Sequence, residues 1–246
     1  MIRLFILAVS FSCFATHKLP SDIERCKAGD VECIARVGTK LLRENGKGRK
    51  DVGFPAYEPF TVHNLVLQEG NDSPVNLHLS LKDVVIHGIS GINVERMVGF
   101  EKDAQKSKFE VYAVAPKLTI SGLYKSNGRI LVLPVRGEGK FNMTLDNVKI
   151  SVKFKPTVVE RNGNHYLNIE KMKIRLDPAG AKIHMERFVA DSNPLGDSIN
   201  EFLNENWRDF WDEIYPSISE AMLNIVRDII NKPLGMFAYD FLYLPS

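Results

Sequence analysis

From residue 60 to residue 185 the sequence repeats one pattern, an alternation of apolar and polar residues. It runs through FTVHNLVLQ, VNLHLSLKDVVIHG, KFEVYAVAPKLTISGLY, KFNMTLDNVKISVKF and AKIHMERF, with turn signals such as Asn127-Gly128 and Asn162-Gly163 between the runs. An alternation of period two is typical of strands that bury one face, and short turns join neighbouring strands antiparallel. The pattern therefore predicts one large antiparallel sheet.

The segment KFNMTLDNVKISVKF indicates that this sheet is strongly curved. Phe141, Met143 and Leu145 are at odd positions, whereas the apolar residues of Val148–Phe154 are at even positions. One extra residue near Asn147 would return both sets to one face, as a β-bulge does, and a bulge bends its strand. A strand of about 14 residues also exceeds the usual five or six and tends to curl. We expect a concave apolar face that another element must fill.

The C-terminal region predicts that element, a long amphipathic helix. One stripe of the helical wheel collects the apolar residues Ile199, Phe202, Leu203, Trp207, Phe210, Trp211, Ile214 and Ile218. Pro216 lies where a helix is expected to kink or restart. Beyond it, apolar residues cover most of the circumference, which predicts deeper burial of the second half. The predicted fold is α+β, with a long C-terminal helix wrapped by a long, highly curved antiparallel sheet.

The N-terminus MIRLFILAVSFSCFATHKLP has the charged, apolar and small-residue order of a secretory signal peptide. We expect residues 1–16 to be removed and residues 17–246 to form a single domain outside the cell. Cleavage removes Cys13 and leaves Cys26 and Cys33, which are expected to be bridged in an oxidising compartment. Asn71 and Asn142 begin glycosylation sequons, the first weakened by Pro74.

No motif of a catalytic or metal site is apparent in the sequence. Ser90 in GISGIN lacks the second glycine of a nucleophile elbow, GEGKFN lacks the third glycine of a dinucleotide fingerprint, and the six His residues show no ligand spacing. The formal net charge of +2 provides no basic footprint for nucleic acid. The sequence therefore predicts neither an enzyme nor a metal or cofactor site.

Three segments in this order resemble the takeout and juvenile hormone binding proteins of insects. They are LPSDIERCKAGDVECIARVGTKLL, FPAYEPFTVHNLVLQ and FLNENWRDFWDEIYPSISEAMLNIV. The resemblance implies a tubular lipid-binding fold that encloses a hydrophobic tunnel and carries a terpenoid, fatty-acid-like or other long-chain lipid in haemolymph. Juvenile hormone binding proteins proper have a second cysteine pair, whereas this chain has no Cys after Cys33, so the resemblance is to the takeout branch.

Large or flexible apolar side chains are suitable material for the wall of such a tunnel, although each could equally be packed core. The candidates are Met97, Phe100, Val111, Leu131, Leu133, Phe141, Met143, Leu145, Ile150, Val152, Trp207, Phe210, Trp211, Ile214, Ile218 and Met222. The expected partner is a hydrophobic small molecule, with a receptor or membrane surface as a further candidate for ligand delivery and no stable membrane insertion.

Two other functions fit parts of the sequence. The first is a lipid-surface protein that presents the aromatic helix outward, but the acidic polar face of residues 202–215 disfavours it, since interfacial helices favour Lys and Arg there. The second is a lipid esterase or hydrolase, for which the chain offers single Ser and His residues but no constellation.

Overall fold

The computed structural model describes residues 18–68, 75–130, 133–187 and 193–245. The predicted signal peptide, Leu131 and the sequon at Asn71 lie outside these residues. Within them are the helices α1 (Val31–Glu44), α2 (Asn193–Glu205) and α3 (Trp207–Met236). The strands are β1 (Phe60–Gln68), β2 (Val75–His87), β3 (Asn93–Val98), β4 (Phe109–Ile130), β5 (Leu133–Phe154), β6 (Thr157–Arg161), β7 (Asn164–Asn168), β8 (Met172–Asp177) and β9 (Gly180–Met185).

Two strands of 22 residues each, β4 and β5, form the centre of a seven-stranded antiparallel sheet. They pair along their whole length, from Phe109 opposite Phe154 to Ile130 opposite Leu133. The outer edge of β4 pairs first with β3 and then with β2, which in turn pairs with β1. The outer edge of β5 pairs with β8 and β9. The described sheet therefore has one edge at β1 and β3 and the other at β8 and β9, and it is the large antiparallel sheet that the sequence predicts.

The predicted change of face occurs at Asn147, which has a φ of +46°. Leu145 and Val148, on either side of it, are 1% and 0% exposed and belong to the same core cluster. The register with β4 does not shift there, because Ala115 lies opposite Val148 and Lys117 opposite Asp146. Both long strands thus change face together, and the expectation of an extra residue in one strand alone is wrong.

A second bend lies in β2, where Asp83 has a φ of +47° and the register with β4 shifts between Lys82 and Val85. The opposing residue is Gly122, whose added Cβ would lie 2.9 Å from the Lys82 carbonyl oxygen. Glycine therefore allows the two backbones to approach closely at this bulge.

The concave face of the sheet packs against α2 and α3. Leu81, Phe141 and Met185 of the sheet share a buried cluster with Leu203 and Phe210 of the helices. The helical region is interrupted at Asn206, and α3 then continues through Pro216. The expected restart of the helix at Pro216 is therefore wrong, and the break lies ten residues earlier in the chain.

The expected difference in burial across Pro216 is also wrong. The buried residues of α3 are Phe210, Trp211 and Ile214, all before the proline. The apolar side chains after it are each partly exposed. An apolar surface predicts burial only where an opposing wall is in contact with it, and the second half of α3 lacks close contact on part of its circumference.

The disulfide between Cys26 and Cys33 is present, as predicted. It closes a small loop before α1, and the carbonyl oxygen of Cys26 accepts a hydrogen bond of 2.9 Å from the backbone N–H of Leu244. Both ends of the described chain therefore meet at one end of the tube. The β6–β7 hairpin and the short 3-10 helix Tyr239–Phe241 lie at the same end, which we call the hairpin end. The opposite end is the α2 end.

Candidate functional site: a helix in a curved sheet

The free edge of β8 and β9 is hydrogen-bonded to side chains of the helices, not to another strand. Asn204 accepts from the backbone N–H of Ile183 (2.8 Å) and donates to the carbonyl oxygen of the same residue (2.8 Å). Asn200 makes the same pair of bonds with Met185, at 2.9 and 3.0 Å. Each amide thus replaces the two hydrogen bonds that a neighbouring strand would supply.

This pattern continues along α3 toward the hairpin end. The Tyr215 hydroxyl accepts from the N–H of Leu176 (3.0 Å) and donates to the carbonyl oxygen of Ile174 (2.8 Å). Asn231 accepts from the N–H of Ile169 (2.8 Å) and donates to its carbonyl oxygen (2.9 Å). We call the whole row the seam. It consists of Asn200, Asn204, Arg208, Tyr215, Ser219, Arg227 and Asn231, each bonded to the backbone of residues 169–185.

The seam fixes the orientation of α3. Successive residues of a helix are about 100° apart around its axis, so residues spaced by four lie on one side of it. Most members of the seam are spaced by multiples of four, and the row therefore turns only slowly around the axis. The exposed row Pro216, Glu220, Asn224, Asp228 and Lys232 lies next to the seam. Beyond this exposed row comes a third row, on the flank of α3 directed away from β8.

This third row consists of Ala221, Ile225 and Ile229, and we call it the apolar flank. The three side chains are partly exposed, neither buried nor fully open to solvent. Within the described part of the chain, they are not among the side chains packed on any of the five core clusters. In contrast, Met222 and Val226 on the adjacent face do pack on the core. The apolar flank is therefore an apolar surface that the core clusters leave partly uncovered.

The predicted wall residues fall into separate groups. Phe141, Leu145, Phe210, Trp211 and Ile214 are buried among protein side chains on the concave face. Around them, partly buried residues pack on the same clusters; these are Met143, Ile150, Val152, Trp207, Ile218 and Met222.

The remaining predicted wall residues lie away from the centre of α3. Met97 and Val111 pack with Ala35 of α1. Phe100 lies at the hairpin end, with its ring edge-on to Phe109 at 4.7 Å between centroids. The side chain of Leu133 falls outside the described residues. The concave face thus gathers most of the predicted set, and Met97, Val111 and Phe100 belong to neighbouring clusters.

Two aromatic rings of the predicted stripe are enclosed by protein. Phe210 and Trp211 are 7% and 3% exposed. Trp207 is partly buried, with the Arg208 guanidinium 4.5 Å from its ring centroid. A lipid-surface protein that presents this helix outward would need these rings in solvent, so this part of the alternative function is wrong.

Two shallow clefts lie on the surface of the described residues. One, of about 420 Å³, lies over β8 and α3 between Lys173, Arg175, Trp211 and Tyr215. The other, of about 410 Å³, lies on the outer face around Leu123, Asn142 and His184. Asn142 is exposed there, as a glycosylation acceptor must be.

Ser90 and His87 meet at the Glu58 carboxylate. Glu58 accepts from the backbone N–H groups of Ser90 (2.9 Å) and Gly88 (3.1 Å), and it lies 3.5 Å from Nδ1 of His87. Although burial acts to raise it, these N–H donors keep the pKa of Glu58 below its usual value. The carboxylate thus fastens the turn after β2, and the imidazole does not lie between serine and acid, as a Ser-His-acid relay requires.

Aromatic residues close the hairpin end. Phe109 is fully buried, and its ring contacts Phe154 (5.2 Å between centroids) and Tyr239 (6.3 Å). Tyr243 donates to the Tyr239 hydroxyl at 3.0 Å. Burial raises the pKa of Tyr239 to about 12 and that of Tyr243 further. Both hydroxyls are therefore neutral over the physiological range.

No group of three or more His, Cys, Asp or Glu side chains in the described ranges is arranged to hold a metal ion. Over the same ranges, the helices fall short of the combined length and apolar character needed to cross a bilayer.

The sequence reasoning missed the seam. Asn200, Asn204 and Asn231 were absent from the predicted site because an amide on a helix surface normally faces water. A signal was present, since Asn200 and Asn204 are four residues apart, as are Tyr215 and Ser219, on helices that otherwise favour better helix formers.

The architecture of a long helix fastened in a curved sheet has close relatives among known proteins. The model of the haemolymph juvenile hormone binding protein (JHBP) family matches residues 4–244. The chain belongs to this family. It is a family of binding proteins, which agrees with the resemblance to takeout and juvenile hormone binding proteins.

Individual relatives are similar over most of their length. The circadian clock-controlled protein daywake of Drosophila melanogaster is 25% identical over 230 residues, covering 92% of this chain and 88% of that protein. The crystal structure of Epiphyas postvittana Takeout 1 superposes with a TM-score of 0.78 at 21% identity, covering 88% of this chain and 97% of that one. At this identity the structural match establishes the shared fold.

Proposed function

We propose that this protein is a secreted, non-catalytic carrier of a long-chain hydrophobic small molecule. The ligand would lie against the apolar flank of α3, between the helix and the side of the tube that leads to β1. The observation that carries the proposal is the second half of α3, which is apolar nearly all round yet has no fully buried residue. Membership in a family of juvenile hormone binding proteins supports it.

The binding free energy of such a ligand would come mainly from apolar burial in a cavity of matching shape, and less from polar contacts. A ligand that buries about 400 Å² of apolar surface gains roughly 10 kcal/mol at 25 cal/mol per Å². Loss of translational and rotational freedom offsets a large part of this gain. Micromolar or tighter binding therefore needs a dry, shaped cavity with few polar contacts.

The first test is native mass spectrometry of protein purified without detergent, followed by organic extraction. We expect a bound apolar compound, and we expect a fluorescent fatty-acid probe to compete with it. Protein that carries no such compound and does not bind the probe would contradict the proposed function.

A matched pair of variants locates the site. Ile225→Trp places a larger ring on the apolar flank and is expected to weaken probe binding at least tenfold. Val66→Trp makes a comparable change on β1, where Val66 is 57% exposed, and should leave probe binding unchanged. Equal effects of the two substitutions would exclude the apolar flank as the site.

A further inference from the structure

The outer face of the sheet at the hairpin end concentrates positive charge. The segments 108–114, 149–155 and 171–177 lie side by side in β4, β5 and β8, and their alternate residues point outward. Together they contain seven Lys or Arg residues and two carboxylates, an excess of five charges in a chain whose formal net charge is +2. We call this surface the basic face. Its cations are Lys108, Lys149, Lys153, Lys155, Lys171, Lys173 and Arg175.

Strand register brings these cations together. Lys153 lies directly opposite Lys173. Lys108, Lys155 and Lys171 each lie one residue beyond the last paired row, which is formed by Phe109, Phe154 and Met172. Like charges directly opposite each other in a sheet destabilise it. An arrangement that costs stability is expected to have a use outside the fold.

The two carboxylates of these three segments are already engaged, and Asp212 of α3 lines the same cleft as Lys173 and Arg175 without a salt bridge to either. Glu110 accepts from the Tyr112 hydroxyl and lies 3.3 Å from Nζ of Lys153, contacts that hold its pKa below the usual range. Asp177 binds Arg208 at 2.8 Å. Within the described residues, the other six cations of the basic face take part in no salt bridge. Their charge is available to a partner.

The hairpin end also exposes apolar side chains. Val159 of the β6–β7 hairpin is 41% exposed, and Phe241 and Leu244 of the C-terminal tail are 46% and 41% exposed. Among the described residues, the other large apolar side chains exposed to this degree are Val66 and Leu123. The hairpin and tail are held together, since His165 donates its backbone N–H to Asp240 at 3.0 Å.

We propose that the hairpin end docks on a bilayer that contains anionic lipids. The cations of the basic face would contact lipid headgroups, and Val159, Phe241 and Leu244 would enter the interfacial layer. Cations beside exposed apolar side chains fit a charged lipid surface, whereas an acidic protein or a soluble polyanion would engage the cations alone. The inference rests on the proposed function in one respect, because a carrier of lipophilic molecules needs a surface on which to exchange them.

The test is co-sedimentation of the full mature protein with vesicles of phosphatidylcholine alone and with vesicles containing 30% phosphatidylserine. We expect binding to the anionic vesicles that decreases with added salt. The double variant Lys173→Glu/Arg175→Glu is expected to bind at least about 25-fold more weakly, since each cation near such a surface contributes roughly fivefold. The control Lys82→Glu/Lys182→Glu makes the same charge change on exposed side chains toward the α2 end and should stay within threefold of the parent.

A third variant separates a bilayer from a soluble polyanion. Phe241→Ser is expected to weaken vesicle binding several-fold while leaving retention on heparin unchanged. The proposal is overturned if the parent protein does not prefer anionic vesicles, if both double variants lose binding equally, or if Phe241→Ser binds vesicles as the parent does. Probe binding measured without vesicles reports on the carrier function independently, and Lys173→Glu/Arg175→Glu should leave it unchanged.

Discussion

The seam makes a specific prediction about stability, which Asn204→Ala tests most directly. Its side chain makes bonds of 2.8 Å to the N–H and 2.8 Å to the carbonyl oxygen of Ile183, a residue that is 4% exposed. It also donates to the carbonyl oxygen of Asn200 at 2.6 Å. That oxygen lies within α2, so the principal loss concerns the two backbone groups on the edge of β9.

The expected cost follows from these two groups. Each net hydrogen bond contributes about 1 kcal/mol, and a buried backbone group left without a partner costs about 1 to 3 kcal/mol. Water that reaches the sheet edge would partly satisfy these groups and reduce the cost of leaving them without a protein partner. We expect Asn204→Ala to lower the free energy of unfolding by about 2 to 4 kcal/mol, and Tm by roughly 2 to 4 °C for each kcal/mol.

Urea denaturation followed by Trp fluorescence measures this change. Asn224→Ala is the matched control, because Asn224 is an exposed asparagine of α3 whose side chain accepts from one nitrogen of Arg227 at 2.8 Å, while Arg227 binds the carbonyl oxygen of Glu170 through its other nitrogen. We expect its cost to be below about 1 kcal/mol. If the two variants were equally stable, the seam would not be what holds the helix to the sheet.

Two further predictions concern the hairpin end. Replacing Cys26 and Cys33 by Ser should lower the free energy of unfolding by about 2 to 3 kcal/mol, as urea denaturation measures, because the disulfide closes a small loop. It should also speed amide hydrogen exchange at Leu244, whose N–H binds Cys26. Unchanged exchange at Leu244 would contradict this coupling of the tail to the disulfide. Because burial raises the pKa of Tyr239 to about 12 from an unfolded value of about 10, its contribution to stability is full below pH 10 and is lost as pH rises through 12. The urea midpoint should decline less steeply between pH 9 and 12 in Tyr239→Phe than in the parent protein. Parallel curves for the two proteins would show that ionisation of Tyr239 does not cause the decline.

Periodicity was sufficient to predict the sheet, its concave face and the place where it changes direction. The switch of apolar residues from odd to even positions between Leu145 and Val148 can be read from the sequence, because only a local irregularity in the strand can keep both side chains on one face. The matching change in β4, across Pro116, is harder to see, because it follows from the pairing partner and not from the segment itself.

The depth of burial along α3 could not be predicted in the same way. Apolar residues such as Ile225 and Ile229 identify a surface that avoids water, but the pattern does not distinguish packed protein from space for a ligand. The basic face was missed for a related reason. In KISVKFK and KMKIRLD the Lys and Arg residues read as the ordinary polar side of a strand, and only the register places Lys153 opposite Lys173.

The seam also determines the width of the tube. A barrel closed by a backbone ladder has its width set by strand number and stagger. Here the closing link is a set of side chains, so the gap between helix and sheet edge depends on their length. Replacing an asparagine of the seam by glutamine would lengthen the link by one methylene group and keep its hydrogen-bonding groups. The width of the compartment in this protein can thus be changed through a few positions on α2 and α3, without altering a strand.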